Sequence, residues 1–377
     1  MPQQLDTQSA SNPQALKHIF NKLLLERMSQ AIGKVYPPFN QQCFLELAQE
    51  LETVEMKGRV LLIRNELRNQ LPQDFSQAVK ILLQSTECGA LNGFALWPYT
   101  EFIQAYGLEE VKLSLDALKE LTRLFTSEFA VRPFLKRHPS YTLQYLETCA
   151  LDKDVHVRRW ACEGTRPRLP WGERLQEFVR DPSPPLLILE RLKFDSELYV
   201  RKSVSNHLND IAKDHPDWVI TLLSSWKKSA GTEDAAKIEW IIHRALRTLI
   251  KKGHPEALKL IDVSQDAQIK ITEFKINQKK FTIGEQIEFE FRLQSLSANP
   301  QKVVIDYIIH FVKANQSKSP KVFKLKALML PAKGVGLITK SHHLKKVTTR
   351  THYPGLHLLE IQVNGRVLHQ MDWELRV

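Results

Sequence analysis

A self-match at an offset of 43 residues constrains this chain more than any other feature. Leu143, Leu146, Glu147, Asp152, Val157, Arg158 and Arg159 are followed 43 residues later by Leu186, Leu189, Glu190, Asp195, Val200, Arg201 and Lys202. The offset lies within the roughly 40 to 47 residue period of helix-pair repeats of the HEAT and armadillo type. A weaker third copy runs through Ile242, Arg244 and Leu246. One helix pair cannot bury its apolar face alone, so the expected architecture is an α-solenoid of stacked pairs whose second helices line a concave face. Apolar stripes at helical spacing agree, for example Leu16, Ile19, Phe20, Leu23 and Leu24, or Val111, Leu115, Leu118 and Phe125. Three His-Pro pairs, His138-Pro139, His215-Pro216 and His254-Pro255, are expected to open helices with proline at the first position. On the concave face, Arg158, Arg159, Arg201 and Lys202 would recur as a row of cations suited to a phosphate backbone.

The repeat carries one unusual stretch, VHVRRWACEGTRPRLPW from Val155 to Trp171. Gly164, Pro167 and Pro170 break a helix there, and Arg158, Arg159, Glu163, Arg166, Arg168 and Trp171 crowd its end. A segment that only closed a core would scatter such groups over a solvated face, so the stretch reads as a site. Cys162 lies inside it. Without a histidine nearby in sequence it reads as a small buried apolar residue and not as a nucleophile.

Near Asp266 the apolar period changes. Ile287, Phe289, Phe291 and Leu293 alternate with polar residues, and Val303, Ile305, Tyr307, Ile309 and Phe311 do the same, which predicts half-buried strands. Asn364-Gly365 predicts a type I′ turn between strands over Leu356–Val363 and Val367–Val377, with Val367, His369, Met371, Trp373 and Leu375 on one face. The expected organisation is therefore an all-α repeat domain over 1–265 and an all-β, immunoglobulin-like sandwich over 266–377, a pattern that a fibronectin-like sandwich would share. Charge divides the same way. From Gln268 onward there are 18 Lys and Arg against 8 Asp and Glu, which accounts for nearly all of the net +11. A basic excess so concentrated points to a polyanion, with loops around Lys318–Lys326 and Lys340–Lys346 as expected contacts.

Other classes are excluded. The polar start, with Asp6, Ser9, Ser11, Asn12 and Pro13, does not read as a secretory signal, and no apolar run is long enough for a bilayer span. Four irregularly spaced cysteines, Cys43, Cys88, Cys149 and Cys162, fit neither a disulfide framework nor a zinc site. A cytoplasmic monomer without metal or cofactor is expected.

The runs TSEFAVRPFL (Thr126–Leu135), VRRWACEGTRPRLPW (Val157–Trp171) and VRKSVSNHLNDIAKDHPDWV (Val200–Val219) resemble the AlkC branch of the AlkC/AlkD alkylpurine DNA glycosylases. An immunoglobulin-like domain after HEAT-like repeats is also a feature of one AlkC subgroup. The resemblance implies excision of N3-methylated bases, such as 3-methyladenine and 3-methylcytosine, from double-stranded DNA in base excision repair. It further implies that no metal takes part and that the base is not flipped into a pocket. By the same resemblance Glu163, Asp210 and Trp171 match catalytic positions, Glu128 a further acidic one, and Arg159 a DNA-contacting one; Arg166 joins the cations expected to face DNA.

The residue types suit that chemistry. An N3-alkylated adenine is already cationic and leaves readily, through an oxocarbenium-like sugar, so a general acid is not needed. Negative charge beside the sugar, a seat for water and an aromatic face are what help. Sequence context alone leaves other roles open. Asp210 reads equally as a helix cap or a partner of Lys213 or Arg166, Glu163 as a partner of Arg159 or Arg166, and Trp171 as core filler. A non-catalytic DNA-binding relative or a protein-interaction scaffold would share the repeat pattern.

Overall fold

The structure, a computed structural model, describes residues 16–346 and 351–376, so the polar start from Asp6 to Pro13 lies outside it. Among the described residues sixteen α-helices, from Lys22–Val35 to Pro255–Leu260, precede eight strands that begin at Ile269. None of those helices is long and apolar enough to cross a membrane. The chain forms two compact units, Met1–Asp214 and His215–Val377. The last helices thus belong to the same unit as the strands.

All three His-Pro pairs open helices, at Pro139–Cys149, Pro216–Ser229 and Pro255–Leu260. Proline suits that position because its missing N–H would have no partner in the first turn anyway. Within the first unit the 43-residue offset relates the helix pair Pro139–Cys149 and Val155–Gly164 to the pair Leu186–Leu192 and Leu198–Ile211. The repeated apolar residues Leu146, Val157, Leu189 and Val200 are fully buried.

The repeated polar residues are the joints of the stack. Arg158 Nη1 donates to the carbonyls of Asp152 and Lys153, both at 3.0 Å, and Arg201 Nη1 donates to those of Asp195 and Ser196 at 2.5 and 2.8 Å. Each arginine therefore ties down the turn ahead of its own helix. Arg158 then reaches the next repeat, where its Nε and Nη2 bind Asp195 at 2.6 and 3.2 Å. Lys119 reaches Asp152 in the same manner, at 2.6 Å. Four of the five Arg158 N–H donors are already in use inside the protein. Lys202, by contrast, is exposed.

In the second unit, β1 (Ile269–Ile276), β3 (Gln286–Ser295) and β6 (Val335–His343) form one sheet in the order β1-β3-β6. The other, in the order β2-β8-β7-β4-β5, contains β2 (Lys280–Thr282), β8 (Arg366–Arg376), β7 (Gly355–Val363), β4 (Gln301–Val312) and β5 (Lys318–Leu330). Pairing is antiparallel except for β2 beside β8. Phe289, Phe291, Ile305, Tyr307, Ile361 and Trp373 from the two sheets fill one core, as an immunoglobulin-like sandwich requires.

Three sequence expectations need correction here. Strand β3 alternates as predicted, but β4 is buried on both faces over most of its length. The segment ahead of β1 in its own unit bonds to this sheet: Lys302 Nζ donates to the Ile261 carbonyl, Gln362 to that of Lys251 and Asn364 to that of Ser264. The Asn364-Gly365 turn is present, with φ of 49° and 80°. However, β8 pairs His369 with Ile361 and Val367 with Gln362, so Leu368 is an extra residue there. That bulge turns Leu368 toward the core and leaves Val367 exposed. Finally, Lys318–Lys326 is part of edge strand β5 and not a loop.

Asp306 on β4 is 3% exposed, and burial pushes its carboxyl up to about 6 against the opposing pull of Lys251 and Lys324. A raised folded-state value means that stability is greatest below the unfolded value near 3.8 and declines as pH rises to about 6. Asp306→Asn is therefore expected to raise the melting temperature of this unit by a few degrees at pH 7.5 and to remove the acid-side pH dependence. Thermal melts from pH 4 to 8 test this, and an Asn variant with the wild-type pH profile would refute it.

Candidate active site

Asp154 begins the site by capping the Val155–Gly164 helix, accepting from the His156 and Val157 amides at 2.7 and 3.2 Å. Gly164 ends it. A Cβ there would approach Val131 Cγ1 to 2.6 Å, so glycine lets this helix end pack closely. Glu163 therefore sits in the last turn, 5% exposed, where the helix dipole opposes negative charge. Asp210, 2% exposed, occupies the last turn of Leu198–Ile211 and meets the same opposition.

Arg166 resolves both conflicts. Its Nη1 lies 2.5 Å from Glu163 Oε1, while Nε and Nη2 lie 2.8 and 2.7 Å from Asp210 Oδ2. One planar guanidinium bridges two buried carboxylates from different repeats. Burial works against the charge of Arg166, yet Glu163 and Asp210 outweigh it and hold the guanidinium above its usual range. From the rim, half-exposed Lys213 reaches Asp210 Oδ1 at 3.0 Å.

The cluster extends through Arg159. Its Nη1 binds Glu128 Oε2 at 2.7 Å and Thr126 Oγ1 at 3.2 Å, and its Nη2 stands 3.5 Å from Glu163 Oε1. The Thr126 hydroxyl donates in turn to Glu128, at 2.8 Å. The Arg159 guanidinium also covers the Tyr199 ring, 5.1 Å from its centroid. Burial penalises this arginine too, but Glu128 and Glu163 more than compensate. On the other side Ser203 donates to Glu163 Oε2 at 2.5 Å.

Arg132 supports the cluster from behind, donating to the carbonyls of Glu173 at 2.6 Å and Gly164 at 2.9 Å. Burial, with Arg166 nearby, pushes it down to about 10. His207 does lie beside Cys162, its Nδ1 3.1 Å from that residue's carbonyl oxygen and 3.8 Å from Sγ. The pair is not a nucleophilic dyad, because burial drives the thiol up to about 12 and the imidazole down to about 3. Both are neutral near pH 7, as the reading of Cys162 as a small buried residue requires.

The structure thus brings together Glu128, Arg159, Glu163, Arg166 and Asp210, and leaves Arg158 and Arg201 at the turns inside their own helix pairs. Trp171 is not core filler. It is 58% exposed at φ 64°, a conformation that costs a non-glycine residue about 1 kcal/mol or more. It lines a cavity of about 140 Å³ with Trp97, Phe129 and Arg132. The ion-pair readings of Glu163 and Asp210 are both realised, and they coexist with the clustering of three acids. Sequence reasoning missed Ser203, Tyr199, Thr126 and Arg132. For Ser203 a signal existed: it stands 43 residues after Trp160, where the repeat exchanges an indole for a hydroxyl.

Residues 270–377 match a family model described as the C-terminal immunoglobulin-like domain of the uncharacterised protein YhaZ. Over 362 residues the chain is 36% identical to YhaZ of Bacillus subtilis, covering 96% of this chain and 99% of that protein. A solved structure of Pseudomonas fluorescens alkylpurine DNA glycosylase AlkC, bound to DNA containing an abasic site analogue, is 38% identical and superposes with a TM-score of 0.91. That match covers 96% of this chain and 99% of the other.

Proposed function

The chain belongs to the AlkC branch of the AlkC/AlkD family of HEAT-like-repeat DNA glycosylases, and from that premise we propose that it excises cationic N3-alkylated bases, 3-methyladenine and 3-methylcytosine, from double-stranded DNA. The observation that carries this reading is the pair of buried carboxylates, Glu163 and Asp210, held at two helix ends around Arg166. Carboxylates at the negative poles of two helices stabilise a cation placed beside them, and the sugar becomes one as the base leaves. In the reaction the C1′–N bond breaks with its electron pair passing to the base, which becomes neutral. Water then bonds to C1′ and gives up its proton to a carboxylate. Asp210 Oδ1 is the oxygen for that role, since its partner Lys213 is half exposed and free to turn toward a phosphate. Exposed Trp171 offers its face to the sugar, and Glu128 fixes Arg159.

With the acids buried in ion pairs and no base-enclosing pocket invoked, selectivity rests on the lesion's own charge and lability rather than on base flipping. We assign the chemistry to residues 1–265 and place 266–377 against the DNA backbone, in a cytoplasmic monomer that needs no metal or cofactor. Release of bases from methylated duplex tests the reading. Free 3-methyladenine is expected, with uracil and hypoxanthine left in place; methylated DNA that is bound but loses no base would favour a non-catalytic DNA-binding relative. The closed ion-pair network is the observation on that side.

Among the cations, Lys202 and Arg158 separate two roles. Lys202→Ala is expected to flatten the salt dependence of DNA binding by about one phosphate contact and to leave the melting temperature alone. Arg158→Ala should lower the melting temperature by several degrees, since it severs the bridge to Asp195 and the turn at Asp152. Binding titrations against salt, run beside thermal melts, tell them apart, and the opposite assignment of effects would refute it.

A further inference from the structure

We propose that Ser203 is a positioning residue that fixes the orientation of the Glu163 carboxylate toward the reacting sugar. Ser203 is 2% exposed on the Leu198–Ile211 helix and donates its hydroxyl to Glu163 Oε2 at 2.5 Å. The two Glu163 oxygens are held differently. Oε1 faces the guanidinium of Arg166 at 2.5 Å and that of Arg159 at 3.5 Å, whereas the hydrogen bond to Oε2 comes from this neutral hydroxyl. A carboxylate drawn only by two guanidiniums can rotate about its last torsion to meet them both. The Ser203 hydroxyl pins the second oxygen and stops that rotation without neutralising any of the charge.

The repeat shows how the sequence makes room for it. The equivalent residue one repeat earlier, Trp160, is a fully buried indole. An indole at 203 would fill the space that Glu163 enters, and its single N–H would have to replace the hydroxyl. The repeat pattern is broken at the point where the acid of one repeat needs a small donor from the next. The contact also bridges 40 residues, so the helix that carries Asp210 registers the position of Glu163 as well.

This rests on the reading that Glu163 acts on the sugar, and the test keeps the two apart. Ser203→Ala is expected to slow single-turnover release of 3-methyladenine by roughly tenfold to a hundredfold, the scale of a misplaced reacting group. Affinity for duplex containing an abasic-site analogue should stay within about twofold, and Ser203→Thr, which keeps the hydroxyl, should restore the rate. A crystal structure of the Ala variant reads the position of Glu163 whether or not any base is released. A rotated carboxylate supports the proposal, and an unmoved one overturns it. Wild-type release by Ser203→Ala, or a Thr variant that melts like wild type yet stays as slow as Ala, would overturn it too. A wild-type protein that releases no base counts against the glycosylase reading alone.

Discussion

Asp210→Asn and Glu163→Gln are each expected to slow base excision by on the order of a hundredfold or more per folded molecule, with DNA affinity unchanged or slightly improved. Both substitutions keep the shape of the side chain and remove its charge, so the sugar cation loses stabilisation that the intact duplex never received. Removing a carboxylate near the backbone also relieves repulsion with phosphate. The structure adds a second consequence. Each acid is also a buried partner of Arg166, and stripping the charge from one side of a buried pair typically costs about 3–5 kcal/mol. The melting temperature should therefore fall in both variants, and rates must be compared well below the lower transition. Trp171→Ala should slow excision less, since an exposed aromatic face contributes about 1–2 kcal/mol, and it should not destabilise the fold. Arg159→Ala should destabilise as well as slow, because Glu128 and Glu163 would both lose a buried partner. Single-turnover excision beside thermal melts decides the matter. Asp210→Asn and Glu163→Gln proteins that melt early yet release base at the wild-type rate would reduce the cluster to a structural joint.

Replacing Lys321, Lys324 and Lys326 on β5 with Gln should weaken binding to duplex DNA by roughly tenfold to a hundredfold, and should flatten the slope of log K against log salt by up to about 3. All three lie exposed along an edge strand, within the stretch after Gln268 that holds 18 of the chain's Lys and Arg. Deleting Gln268–Val377 outright would remove an excess charge of ten but would also strip the bonds from Lys302, Gln362 and Asn364 to the helical segment of the same unit. A deletion would thus mix lost charge with lost folding, whereas replacing exposed lysines with Gln removes charge and keeps the strand and its backbone pairing. Titrations at several salt concentrations give the slopes; parallel lines for wild type and variant would remove β5 from the DNA-binding surface.

What the sequence determined alone was whatever depends on spacing along the chain. The 43-residue offset specified a helix-pair repeat because each pair must bury the same face against its neighbour. The His-Pro pairs marked helix starts because proline satisfies first-turn geometry wherever it stands, and Asn364-Gly365 specified its turn because both residues accept positive φ. Family motifs named Glu128, Glu163 and Asp210. Tertiary structure decided everything that depends on who arrives from elsewhere. The repeated Arg158 and Arg201 looked like a row of ligand-binding cations, but each closes the turn ahead of its own helix and Arg158 also joins the next repeat, because those carbonyls, and for Arg158 the Asp195 carboxylate, meet the guanidinium first. Strand β4 reads as half buried, yet the segment ahead of β1 bonds to its sheet and the strand is buried on both faces over most of its length. Leu368 breaks an alternation that spacing alone would continue. Ser203 is marked in the sequence only by standing where the earlier repeat has Trp160; the approach of a second helix end, 40 residues away in sequence, is what turns its hydroxyl into a support for Glu163. Local pattern is a property of neighbours in sequence, while the environment of a charge is set by neighbours in space, and in this protein those neighbours come from different repeats.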